Sequence, residues 1–208
     1  MKTALLYTGV ALLGLLAGAL VWRSFVITQK QDFDTLIVLP EPRIIADFAL
    51  RDQDDEPFSL DGFRGRWSVV FVGFTSCPDV CPNTLFQLQQ ARQLMLEELP
   101  PGQLPQIFLL SVDPERDTPE KLADYLAYFD PGFLGVTGPD AQLRALSLQL
   151  GVAYYVEPHE PGATEYTVDH SASLLLLDPQ GRLFGVLPAP HNAGSIAQDI
   201  VALIRQEA

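Results

Sequence analysis

Cysteine, histidine and positive charge are all scarce in this chain. Its 208 residues include two cysteines and three histidines. Two cysteines allow one internal disulfide at most, so no framework of disulfides holds the fold. Thirteen basic residues face 26 acidic ones, and residues 1–30 carry Lys2, Arg23 and Lys30 but no acid. The remainder therefore has a net charge of −16, from 10 basic and 26 acidic residues. So acidic a surface repels phosphate backbones and excludes nucleic acid as a natural partner. Acidity alone names no partner; it serves solubility. Internal repeats and low-complexity tracts are absent too. What is plentiful is apolar material. The chain is 48% hydrophobic and 10% aromatic, which excludes disorder and supplies the core of one ordinary domain plus a short extra element.

Charge is missing altogether from Ala4 to Trp22 (ALLYTGVALLGLLAGALVW). A helix of that length comes close to spanning a bilayer core of ~30 Å. Two readings compete: an uncleaved anchor, or a cleaved signal peptide with Ala17-Gly18-Ala19 as its A-x-A site. The apolar run continues past that tripeptide into Leu20-Val21-Trp22, which favours the anchor. Flanking charge orients it only weakly, since Arg23 and Lys30 oppose Lys2. The start is not Arg- and Ser-rich like an organelle transit peptide, so a bacterial envelope is the simplest home for the exported part. The expected organisation is a single-pass inner-membrane anchor over residues 1–23, a linker over 24–45 and a periplasmic domain over 46–208. The linker reading rests on the polar stretch Ser24 to Asp34 and on Pro40 and Pro42.

Hydrophobic periodicity then divides the domain. Phe58-Ser59-Leu60 alternates like a short strand, and Val69 to Phe74 (VVFVGF) reads as a strand buried on both faces. Pro82 to Leu99 is predicted helical, with Pro82 in the first turn and Leu85, Leu88, Ala91 and Met95 on one stripe. Ile107 to Val112 is a second buried strand. Thr118 and Pro119 form an N-cap and N1 pair for a helix through Phe129. Residues 133–137 are a short strand and 140–150 a helix ending at Gly151. Ala153 to Val156 and Ser173 to Leu177 read as strands. The turn Asp178-Pro179-Gln180-Gly181 leads back into Leu183–Leu187 as a hairpin, and Ser195 to Arg205 is the last helix. Strands alternating with helices, followed by a hairpin and helix, indicate an α/β fold with a mixed central sheet flanked by helices.

Cys77 and Cys81 lie in FTSCPDVCPN, between the buried strand 69–74 and the following helix. Ligands gather at the carboxyl ends of strands in open α/β sheets. A helix N-terminus also favours thiolate, the form that binds metal or attacks disulfides. Spacing of i, i+4 puts both sulfurs on one face if the segment is helical, and the same loop can bring them to one soft ion such as Cu(I). The competing reading is a disulfide stapling the loop, yet closing so short a loop adds little stability. Among the histidines, His159 (EPHEPGATE) and His191 (after Pro188-Ala189-Pro190) read as solvated loop residues. His170, in TVDHSAS, just precedes the apolar strand 173–177 and is better anchored, with Asp169 and Ser171 able to orient its ring. The residues alone leave His170 open between a third ligand and an ordinary histidine. Asp113, in SVDPERDTPE, also sits at a strand's carboxyl end; a turn or cap role with Asp117 and Thr118 is preferred over support of the site.

FTSCPDVCPNTL, SVDPERDTPEKL and TVDHSASLLLLDPQGR resemble, in that order, the three signature stretches of the Sco/SenC family, over roughly residues 45–206. The resemblance implies a thioredoxin-like domain held by one transmembrane helix. It implies copper, Cu(I) or Cu(II), bound by Cys77, Cys81 and His170, with a Cys77–Cys81 disulfide in the oxidised form. It implies work on the dinuclear copper A centre of cytochrome c oxidase, by delivering copper, by reducing the target's cysteines, or both. The implied partners are the copper A subunit and a periplasmic copper donor. No proline occupies residues 167–173, where thioredoxins carry a cis-proline near the cysteine pair. The rivals are a metal-free thiol–disulfide oxidoreductase, which would more often show C-x-x-C, a peroxiredoxin-type peroxidase suggested only by FTSC, and a disulfide-stapled binding domain.

Overall fold

The computed structural model of the chain describes residues 14, 15, 17, 18 and 33–207. The chain divides into two units, Met1–Phe33 and Asp34–Ala208. In the first, Gly14, Leu15, Ala17 and Gly18 are helical. The rest of the expected anchor and the first part of the linker lie outside the described residues. Among the described residues, no helix is long and apolar enough to cross a membrane.

In the second unit the chain runs β1 (Ile37–Arg43), β2 (Leu50–Asp52), β3 (Pro57–Phe58), β4 (Ser68–Gly73) and α1 (Val80–Glu98). It continues through β5 (Gln106–Ser111), α2 (Pro119–Ala127), β6 (Phe133–Thr137) and α3 (Asp140–Leu150). β7 (Tyr154–Val156), β8 (Val168–His170), β9 (Leu174–Leu177), β10 (Leu183–Leu187) and α4 (Ala193–Glu207) complete it. Eight strands form one sheet in the order β1-β10-β9-β4-β5-β6-β2-β3. β4, β5 and β6 are parallel neighbours, while β9 lies antiparallel beside β4 and β10 antiparallel beside β9, giving the expected mixed sheet.

The apolar runs explain the order. Every residue of β4 and β9 is buried, as are Ile107–Ser111 of β5, so these strands need neighbours and cover on both sides. Leu85, Leu88, Ala91 and Met95 form the buried stripe of α1, which packs against α4 and its Ile196, Ile200, Leu203 and Ile204. Phe48, Phe58, Phe63 and Phe108 form an aromatic cluster with ring centroids 5.0–6.1 Å apart. Thr118 caps α2, accepting from Lys121 N at 3.2 Å, and Gly151 ends α3 at φ +76°, where a side chain would be strained.

Four elements differ from the sequence reading. The second half of the stretch read as linker is a strand: β1 pairs antiparallel with β10 at the sheet edge, where Pro40 and Pro42 are tolerated. The junction is fastened by Asp199 of α4. Its buried carboxylate accepts from the backbone N–H groups of Asp34, Thr35 and Leu36 at 2.7–2.8 Å. Of the Phe58–Leu60 stretch only Phe58 lies in a strand, Pro57–Phe58; Ser59 instead caps a 3₁₀ turn over Leu60–Phe63. β7 does not join the main sheet but pairs with β8 in a separate two-stranded ribbon. Finally, α1 begins at Val80 rather than at Pro82.

Candidate metal centre

That earlier helix start changes the geometry of the cysteine pair. Cys81 lies inside the first turn of α1, whereas Cys77 lies before it, in the turn that leaves β4. The two therefore do not share a helical face. Instead Cys77 Sγ folds back over the helix start and accepts from Cys81 N–H at 3.4 Å. It does what an N-cap side chain does, and the residue at the cap position, Asp79, makes no side-chain cap bond. The sulfur thus satisfies one of the first-turn N–H groups that has no partner within the helix.

Cys81 points inward. It is completely buried, and its sulfur rests on Gly73, the last residue of β4. A Cβ at position 73 would stand 2.8 Å from Cys81 Sγ, 3.1 Å from Phe71 Cε1 and 3.2 Å from Leu109 Cδ1. Glycine here is a matter of close approach rather than backbone conformation. Burial pushes the Cys81 thiol well above its usual range, and its hydrogen bond with Cys77 adds to this, against a lowering from the Phe74 backbone.

His170 comes from the other side, at the end of β8, with Tyr154 of β7 as its register partner. Its ring stands edge-on to Phe71 (centroids 5.9 Å) and Phe74 (5.8 Å). Nδ1 lies 3.1 Å from the carbonyl oxygen of Ser171. A carbonyl can only accept, so in the neutral ring Nδ1 carries the proton and Nε2 keeps its lone pair. That lone pair faces Cys81 Sγ at 3.4 Å. Burial lowers the His170 pKa, opposed by the Ser171 carbonyl, the charge of Asp169 and the Val72 backbone, and so favours the neutral ring. Ser171 thus orients the ring as the sequence suggested, through its carbonyl. Donor atoms of Cys77, Cys81 and His170 all lie within 4.8 Å of one another. Among the described residues they form the one group of three or more histidine, cysteine or acidic side chains able to hold an ion. Two soft sulfurs and one imidazole suit Cu(I) and related soft or borderline ions.

Two buried aspartates fix this arrangement; the sequence reading set the supporting role of Asp113 behind a turn or cap and gave Asp117 only the latter. Asp117 accepts from Thr75 N at 2.9 Å, Thr75 Oγ1 at 2.5 Å and Ser111 Oγ at 2.6 Å, with Lys121 Nζ at 3.3 Å. It ties the turn carrying Cys77 to the end of β5. Asp113 does form a turn through its carbonyl, which accepts from Arg116 and Asp117 N–H. Its side chain, however, caps no helix: it accepts from Arg116 Nε at 2.5 Å and from the Tyr166 hydroxyl. Arg116 stacks on Tyr166 and donates to the carbonyls of Thr164 and Tyr166, so the pair clamps the loop leading into β8 and His170. The spacing of acids in DPERD was the only available signal, and it fitted helix capping equally well.

The other histidines stay away from the cluster, yet they are not simply solvated. His159 stacks on Tyr166 (3.7 Å, 4°) and contacts Glu157 O and Glu115. His191 Nε2 donates to Ala172 O at 2.6 Å.

Residues 39–205 match the family described as SCO1/SenC. A protein of Stutzerimonas stutzeri, named provisionally as copper-binding, is 41% identical over 183 residues, 85% of this chain and 84% of its own. The mouse mitochondrial protein SCO2 homolog is 36% identical over 154 residues, 74% of this chain and 60% of its own. Among solved structures, copper-bound ScoI of Arabidopsis thaliana superposes with a TM-score of 0.70 at 30% identity, covering 77% of this chain and 98% of its own. Copper-bound yeast Sco1 gives 0.72 at 28% identity, over 79% and 90%. The thioredoxin-like sheet of those proteins is thus also the sheet described here, and the chain belongs to the SCO1/SenC family.

Proposed function

We propose that this protein binds copper through Cys77 Sγ, Cys81 Sγ and His170 Nε2 and supplies it to the copper A centre of cytochrome c oxidase. The observation that carries the reading is the convergence of three donors within 4.8 Å from three separately braced segments. Membership of the SCO1/SenC family and the copper-bound structures of its relatives support it. In this mechanism Cu(I) replaces the two thiol protons, which leave to solvent, while His170 donates a lone pair already free. Cys77 is half-buried and Cys81 wholly buried, so transfer to an acceptor begins by exchange at Cys77. The charge-free run from Ala4 to Trp22 supports a tether to the inner membrane, with the domain on the periplasmic side.

A second reading is favoured by the same pair of free thiols. Cys77 thiolate, held by the Cys81 N–H, attacks a disulfide in the oxidase copper site. Cys81 then displaces the target sulfur, leaving a Cys77–Cys81 disulfide and a reduced target. Copper titration of the reduced full-length protein in detergent separates the two. Tight binding that weakens in His170→Ala supports the copper site; undiminished binding of both Cu(I) and Cu(II) by that variant refutes it. Oxidase assembly restored in a deletion strain by His170→Ala, but not by Cys→Ser forms, would assign the reductase role.

A further inference from the structure

Given the copper site proposed above, His170 has to be held against sulfurs that belong to another part of the fold. β8, which ends at His170, forms the two-stranded ribbon with β7, whereas Cys81 stands on α1 with its sulfur on Gly73 of the main sheet. The chain crosses from one to the other in residues 171–173, before β9 begins at Leu174. The ring takes its orientation from this crossing, since Nδ1 donates to the Ser171 carbonyl at 3.1 Å. Whatever holds that carbonyl therefore aims Nε2.

The Ser171–Ala172 peptide that carries it is pinned on both sides. On one side Ser171 N–H donates to Ala153 O at 3.2 Å. On the other, the Ala172 carbonyl accepts from His191 Nε2 at 2.6 Å. A carbonyl cannot donate, so His191 carries a proton on Nε2. The loop of His191, which runs from β10 into α4, is itself tied to the helix of Cys81: Ala193 N–H donates to Gln87 Oε1 of α1 at 2.9 Å. Between them, Asn192 Oδ1 accepts from Ser195 N–H at 3.1 Å at the start of α4. Residues 191–193 thus make a short strut from α1 to the peptide after His170. Neither the Gln87 bond nor the Asn192 bond uses the imidazole, whose Nε2 proton serves the Ala172 carbonyl. The entry to β8 is clamped separately, by Arg116 at the carbonyls of Thr164 and Tyr166.

We infer that His191 is a positioning residue for His170: by holding the Ala172 carbonyl it fixes the neighbouring Ser171 carbonyl, which aims the His170 lone pair at the ion shared with Cys77 and Cys81.

His191→Ala and His191→Gln test this in the full-length protein in detergent, with copper alone as the probe. Cu(I) affinity, measured by competition with a chromogenic chelator, should fall about tenfold in His191→Ala, the lower end of what losing an outer hydrogen bond costs a metal site. The nitrogen hyperfine coupling of bound Cu(II) should weaken as the imidazole leaves its alignment. A glutamine amide supplies an N–H at a reach similar to Nε2, so His191→Gln should restore most of the affinity. The decisive comparison is made in His170→Ala, where the ligand that His191 serves is gone. There His191→Ala should change Cu(I) affinity by less than about twofold, which general damage to the domain would not give. An equal loss in both backgrounds, full affinity in His191→Ala, or a glutamine form as weak as the alanine form overturns this inference and leaves the three-donor site standing. Copper binding by His170→Ala as tight as that of the wild type overturns the copper reading and this inference with it.

Discussion

Gly73→Ala tests whether the floor of the site is as tight as the geometry requires. The new methyl would meet Cys81 Sγ at 2.8 Å, with Phe71 and Leu109 at 3.1 and 3.2 Å. Ordinary contacts begin near 3.4 Å, so the sulfur must retreat by about 0.6 Å. The backbone cannot yield in its place: Gly73 is paired with Ser111 on β5, and its carbonyl accepts from Val112 N–H at 3.0 Å. Overpacking of this kind costs about 1–3 kcal/mol. Alanine recovers about 0.4–1 kcal/mol by restricting the unfolded chain. The net expectation for the reduced apo protein is a loss of up to about 2.6 kcal/mol in urea denaturation. The displaced sulfur is one of three donors, so copper affinity should fall about 10- to 100-fold. Adding Cys81→Ala separates the causes, since the clash with sulfur then disappears. Gly73→Ala should cost clearly less in that background, with the difference read as a coupling energy. Equal destabilisation with and without Cys81, or unchanged stability and copper affinity in the single variant, would refute the argument.

Other consequences are open to measurement. Asp117→Asn turns an amide toward Thr75, Ser111 and Lys121 donors; denaturation should show a loss of about 2–4 kcal/mol. The same variant should bind copper more weakly, and wild-type stability would show that the Cys77 turn is held by other means. Asp199→Ala leaves the N–H groups of Asp34, Thr35 and Leu36 unpaired and should cost about 2–4 kcal/mol. Hydrogen exchange at Thr35 and Leu36 should accelerate in it, and unchanged protection would contradict the clamp. His170 gives a pH dependence. Its folded pKa lies below the unfolded value near 6.5, so below that pH the unfolded chain binds more protons and apo stability falls. The stability of the wild-type protein relative to His170→Gln should therefore decline from pH 7.5 to pH 5, and a constant difference would exclude a buried, neutral ring.

The metal site was legible where local pattern and global position coincide. Cys77 and Cys81 could be placed because the apolar run before them fixes a strand and the helical stripe after them fixes a helix, so the segment between must occupy a strand's carboxyl end. Helix registers, the mixed sheet and the closing hairpin followed from the same periodicities. The helix start was misjudged by two residues because Pro82 is tolerated throughout a first turn, and a sulfur took over the capping that sequence rules assign to oxygen. β1 was missed because an edge strand needs only one neighbour and tolerates proline. His170 was undetermined by local pattern since its partners arrive from residues 71, 74 and 81, a separation no periodicity records. The roles of Asp113 and Asp117 were hidden for the same reason: a carboxylate in a turn looks alike whether it caps its own helix or reaches Tyr166, 53 positions away. What the sequence conceals is therefore the bracing between segments, and in this protein that bracing turns two thiols and a ring into a three-donor site. The bracing also makes a sharp demand. Because Cys77, Cys81 and His170 are held by independent contacts, damage to any one support should weaken the metal site before it unfolds the domain.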